Sequence, residues 1–303
     1  MKTILGAHSL SSMFTVKSYV GLKAIMEATA RRGGKLFELP YLLCRLKWQA
    51  VAKAARQAGI TELALCHFWT INKDGSSVCG NPLGDLAEVE RALGTLDDII
   101  SAARVLREGG LTVRFIDGPT WGGLGWDYTS LRESEKLPRM LSFLKRAGDK
   151  CAKADLILAV EHLRNHEDKV TGGTVRMVGR LAILNHPSVR MHFDMFHAIE
   201  NGEDPAEMIE VASQYIVYLH LHGDKRIAPG ASGDKQDWKK IAEAVGKINS
   251  GISTIPVVPG PFGMATCREN SALGEGLPPV PPLGEYLDVA YKTFREAGLN
   301  IAD

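Results

Sequence analysis

The sequence predicts a single (β/α)8 TIM barrel spanning residues 1–303. Three observations lead there. Eight short apolar runs alternate with eight longer stretches of helical periodicity, the count and order of that fold. No Gly-rich phosphate loop follows an early strand, as a doubly wound sheet, the alternative reading of the same alternation, would normally carry. The polar residues with chemical potential cluster at the C-terminal ends of the later strands, where this architecture builds its sites.

The elements are expected in strict alternation. Strand one is ILGAH (4–8), followed by a helix over 17–31; strand two is KLFELP (35–40), with a helix over 45–58. ELALCHF (62–68) precedes a helix over 84–109, and TVRFIDG (112–118) one over 133–154. LILAVEH (156–162) leads to 172–184, VRMHFDM (189–195) to 205–214, and IVYLHLH (216–222) to 236–248. TIPVVPG (254–260) is the eighth strand, and the last helix covers 284–297. Each strand is a short apolar run near turn residues, as strands buried on both faces require. Gly33, Gly59, Gly109 and Asn185 stand where helices should end, since these residues tolerate the left-handed backbone of a C-cap. The Gly/Pro-rich stretch GEGLPPVPPLGE (275–285) reads as a loop before the last helix, and no linker or repeat divides the chain.

Composition removes several function classes. With 36 Lys and Arg against 35 Asp and Glu, the formal charge is +1, so there is no electrostatic footprint for nucleic acid or an anionic membrane. Five cysteines, Cys44, Cys66, Cys79, Cys151 and Cys267, are odd in number and form no CxxC pair, which suits reduced thiols. The N-terminus MKTILGAHSLSSM makes a poor signal peptide, and no apolar stretch reaches the roughly 18 residues of a membrane span. A soluble cytoplasmic protein is expected; assembly as a homo-oligomer is left open.

Seven of the nine histidines lie between residues 162 and 222. Strand alternation sorts them: His192 and Asp194 share one face of strand six, and His220 and His222 one face of strand seven. His197, three residues past Asp194, is expected on a loop above the mouth. Glu161, Asp194 and His220 can converge from neighbouring strand ends. Two carboxylates and one imidazole suit Mn²⁺, Co²⁺, Mg²⁺ or Zn²⁺, with Mn²⁺ favoured by the mostly oxygen donors. His162, His166 and His186 are expected to be structural, and nothing in the sequence ties His8 or His67 to the cluster.

The stretches LAVEHLRNHE (158–167), HFDMFHAIE (192–200) and LHLHGDKRIAPG (219–230) followed by DW (237–238) carry a resemblance. With GGKLFELP (33–40), they resemble the sugar isomerase/epimerase superfamily of xylose isomerase-like barrels, nearest to the D-tagatose 3-epimerase-like ketose 3-epimerases. The resemblance implies a metal held by Glu161, Asp194 and His220, with Glu161 also the acid/base. It further implies that Glu167, His197 and Arg226 bind the oxygens of a small sugar. The reaction implied is proton abstraction next to the carbonyl of a keto-sugar or related polyol, and an unphosphorylated substrate is expected. That family ends strand eight in a second Glu, but VVPGPFG (257–263) places Gly260 there. A single base leaves isomerisation or β-elimination open, and the alternative is a non-catalytic or partner-completed sugar-binding barrel. His222 has two readings: a solvated rim residue, or a fourth ligand or second acid/base.

Overall fold

The computed structural model describes residues 1–8, 18–67, 79–119, 131–165, 170–259 and 283–302. Eight parallel strands close into a barrel in sequence order, β8 pairing with β1. They are β1 (Lys2–His8), β2 (Leu36–Pro40), β3 (Glu62–Cys66), β4 (Thr112–Pro119), β5 (Ile157–Glu161), β6 (Val189–Asp194), β7 (Ile216–His220) and β8 (Thr254–Val258). The helices are α1 (Tyr19–Ala30), α2 (Trp48–Ala58), α3 (Leu86–Glu108), α4 (Glu133–Lys153), α5 (Thr174–Leu184), α6 (Met195–Glu200), α7 (Pro205–Val211), α8 (Trp238–Gly246) and α9 (Leu283–Glu296).

The expected elements are therefore present, with local differences that have local causes. α6 lies partly in what reads as strand, because Asp194 ends β6 and its side chain accepts the Phe196 amide at 2.7 Å, capping a new helix. His197 consequently sits on that helix rather than on a loop. Gly59 and Asn185 are left-handed C-caps at φ 87° and 44°. Gly109 is the C-cap of α3 at φ −72°, and the left-handed residue there is Gly110 at φ 86°.

The core has two layers. Leu36, Ala64, Phe115, Ala159, Tyr218 and Val258 belong to a compact inner cluster, and a larger apolar layer joins the strands to the helices. At the N-terminal end, Arg114 donates to both Glu62 oxygens, at 2.8 and 3.1 Å, and to the Thr254 carbonyl at 3.2 Å. That linkage ties β3, β4 and β8 together at the end opposite the polar residues. Among the described residues, no helix is long and apolar enough to cross a membrane.

Candidate active site

The C-terminal half of the barrel interior holds a concentration of buried titratable groups. Glu38, Asp117, Glu161 and Asp194 supply carboxyls, and His8, His192, His197, His220 and His222 supply imidazoles. Strand register sets their heights: Asp194 is level with His220, Glu161 with His192, and His8 with Glu38.

Asp194 joins the parts of the site. Its Oδ1 caps α6 and lies 3.5 Å from His222 Nε2. Its Oδ2 faces Arg226 Nη2 at 3.6 Å, His220 Nδ1 at 3.7 Å and His197 Nε2 at 3.8 Å. Burial alone would raise this carboxyl, but Arg226 and the surrounding imidazoles hold it well below the usual range. A fully buried carboxylate is tolerable only with such partners. Glu161 is placed differently. Burial, reinforced by the charge on Asp194, raises its carboxyl, and His197 Nε2 at 3.3 Å only partly opposes that.

Of the expected residues, the structure brings Glu161, Asp194 and His197 into one group with ligand atoms within 4.8 Å, and Asp194, His220 and His222 into another. Asp194 is common to both. Arg226 is buried beside them, its guanidinium 3.9 Å from the centre of the Phe196 ring. Its backbone is left-handed at φ 63°, as is that of Lys225 at φ 54°, conformations that non-glycine residues adopt only under local constraint. Glu167 and Gly260 lie outside the described residues, as does His166. His222 is fully buried, which excludes the solvated rim position, and burial lowers its imidazole to about 4.

The sequence reasoning missed Glu38. Its Oε2 accepts from Tyr218 OH at 3.0 Å and lies 2.7 Å from His220 Nε2, while Oε1 is 2.9 Å from His8 Nε2. Against the cost of burial, the His8 and His220 imidazoles hold this carboxyl well below the usual range. Burial and the charge of Glu38 push the neighbouring Asp117 well above it. A glutamate inside the apolar run LFELP is as anomalous as Asp194 in its own strand, and that signal was available. His162 stacks on Phe193 at 5.1 Å, lies 3.4 Å from Thr174 Oγ1 and meets the His197 ring edge-on at 6.1 Å. His186 lies away from this group, 3.3 Å from Asp149.

A parallel barrel with convergent carboxylates and imidazoles at its C-terminal mouth defines a class of small-molecule site. The model of the xylose isomerase-like TIM barrel family matches residues 21–269, and the chain belongs to that family. No curated protein matches the sequence. Among solved structures, the D-psicose 3-epimerase of Clostridium cellulolyticum H10, determined with D-tagatose, is 17% identical with a TM-score of 0.76, each chain covered completely. An L-ribulose 3-epimerase is 18% identical with a TM-score of 0.78, covering 98% of this chain and 96% of its own. An IolI protein with a bound zinc atom is 15% identical with a TM-score of 0.68, covering 98% of each chain. At these identities the likeness is one of fold.

Proposed function

We propose that the protein is a divalent-metal-dependent enzyme of the isomerase and epimerase type, removing a proton next to the carbonyl of a keto-sugar or related polyol. The observation that carries this reading is a pair of facing, unsatisfied ligand atoms. Asp194 Oδ2 and His220 Nδ1 are buried without a hydrogen-bond partner and lie 3.7 Å apart. Two ligands each about 2.1 Å from one ion lie roughly 3–4 Å apart, so this spacing suits a shared cation. Glu161, Asp194 and His220 would hold it, with His222 filling the fourth position. The two carboxylates favour Mn²⁺, while the imidazoles leave Co²⁺ and Zn²⁺, as well as Mg²⁺, compatible. When bound, the cation supplies charge stabilisation to the substrate carbonyl as its neighbouring carbon loses a proton.

The remaining roles belong to side chains. Glu161, raised by burial, is a stronger base than an exposed carboxylate and takes the proton. His197 Nε2, 3.3 Å from Glu161, and Arg226, seated on Phe196, hold substrate hydroxyls so that one carbon faces that base. Glu167 has the same task by the family pattern. With Gly260 in place of a second carboxylate, the chemistry needs only one base unless His222, neutral near pH 7, serves as the other. Aldose–ketose isomerisation and β-elimination therefore stand beside epimerisation.

The test is exchange of solvent deuterium into free ketoses by the Mn²⁺-loaded protein. Label is expected next to the carbonyl with wild type and not with Glu161→Gln. A wild-type chain that binds metal and sugar yet exchanges nothing is a sugar-binding barrel instead. Thermal-shift screening checks the substrate class: free keto-sugars should stabilise the protein, and stabilisation by sugar phosphates alone would exclude an unphosphorylated substrate.

A further inference from the structure

We infer that His8, Glu38 and Cys66 form a second metal site, built from the ends of β1 and β3 and the middle of β2, suited to a borderline cation such as Zn²⁺ or Co²⁺. All three side chains are buried, and one ligand atom from each lies within 4.8 Å of the others. Adjacent strands bring them together. His8 is level with Glu38 in the β1–β2 pairing, and Cys66 ends β3 level with Pro40, two residues beyond Glu38. Glu38 divides its oxygens: Oε2 is taken by His220 and Tyr218, while Oε1 is turned to His8 Nε2 at 2.9 Å. The carboxylate can thus orient His220 with one oxygen and serve the second site with the other.

The donor chemistry separates this site from the Asp194 centre. One imidazole nitrogen, one carboxylate oxygen and one sulfur are Zn²⁺ or Co²⁺ ligands, whereas Mg²⁺ and Mn²⁺ prefer oxygen. Three protein donors leave one position of a tetrahedron for water or a small ligand. In the metal-free chain, burial and the nearby carboxyls Asp117 and Glu38 hold the Cys66 thiol well above its ordinary range. Metal binding therefore forms a sulfur–metal bond and releases the thiol proton to solvent. Cys44, Cys79 and Cys151 are buried as well and belong to no such group among the described residues. The site does not depend on the proposed sugar chemistry, although the Glu38–His220 contact of 2.7 Å couples the two centres.

The experiment is a Co²⁺ titration of the chelator-stripped full chain, read by near-ultraviolet sulfur-to-cobalt charge transfer and by metal retained after desalting. Wild type should retain two equivalents and develop the charge-transfer band. Cys66→Ser should retain one equivalent and lose the band. Asp194→Ala should keep the band while losing the other equivalent, which separates this site from the proposed sugar centre. His8→Gln should weaken the band and its Co²⁺ affinity, a second reading if Cys66→Ser does not fold. No band in wild type at saturating Co²⁺, a band that survives Cys66→Ser, or an unchanged titration in His8→Gln overturns the inference.

Discussion

Asp194 Oδ1 accepts the Phe196 amide and so starts α6, while Oδ2 is turned to His197, His220 and Arg226. One side chain ends a strand, begins a helix and faces the proposed cation. Asp194→Ala should abolish Mn²⁺ binding in equilibrium dialysis; stoichiometry equal to wild type would mean the ligand set is wrong. Glu38 acts through a neighbour. It engages Nε2 of His220, leaving Nδ1 toward Asp194, the arrangement by which a carboxylate orients a ligating imidazole. Glu38→Gln should weaken Mn²⁺ affinity by about 10–100-fold, the usual effect of losing such a partner. His222→Ala should weaken Mn²⁺ binding as well, and unchanged affinity and turnover would assign its place to water.

At the scale of the element, the loop after β7 decides where Arg226 points. Asp234 accepts from Trp238 Nε1 and the Gly230 amide, each at 2.6 Å, from the Gln236 amide at 3.2 Å and from the Asp224 amide at 3.3 Å. This clasp holds the turn in which Lys225 and Arg226 adopt left-handed backbone. Asp234→Ala should cost roughly 3 kcal/mol, because several amides and an indole lose a charged acceptor. Urea unfolding measures that loss, and kinetics on the true substrate should show KM rising more than kcat falls. Gly118 plays a comparable part between β3 and β4. It has φ 127°, and a Cβ there would collide with the His67 carbonyl oxygen, so only glycine lets β4 approach and set the neighbouring Asp117.

For the whole molecule, a barrel interior filled with imidazoles makes the metal-free chain acid-sensitive. Burial lowers His67 and His162 to about 3. The unfolded chain protonates them below pH about 6.5, the folded chain only near pH 3, so unfolding takes up protons throughout that interval. Each of these histidines lowers stability as pH drops from about 6.5, by roughly 2.7 kcal/mol at pH 4.5 at 1.36 kcal/mol per pH unit, while Asp117 and Glu161, whose raised carboxyls keep protons that the unfolded chain has lost, offset part of that fall. His220 does not contribute to this loss. Burial opposes its charge, but Glu38 and Asp194 raise it well above the ordinary value, so its stabilisation is present below pH 6.5 and lost as pH rises. Glu38 and Asp194 themselves, held low, weaken the fold only below the carboxylate range. Urea midpoints between pH 4.5 and 6.5 should therefore decline steadily, and less steeply for His162→Gln; parallel slopes would place the sensitivity elsewhere.

Periodicity and turn residues carried the architecture, because both are local. Apolar runs such as ELALC and IVYLH, punctuated by residues such as Gly59 and Asn185, specify alternating strands and helices whatever surrounds them. The anomaly of polar groups at the ends of β5, β6 and β7 was legible for the same reason. The remaining features waited on closure of the barrel. β1 begins at Lys2 because Lys2 pairs with Thr254 across the closing seam, a contact invisible in the isolated run ILGAH. His222 reads as a rim residue until the surrounding structure buries it against Asp194. Glu38 and His8 are distant in sequence from the histidine-rich half, and only the ring of strands brings Glu38 Oε2 within 2.7 Å of His220 across 182 residues. The sequence by itself determined the elements, their order and the end of the barrel where the polar groups gather. The tertiary structure decided which side chains meet there, because a buried charge is stabilised by whatever lies across the interior, and that neighbour is set by strand register and closure rather than by spacing along the chain.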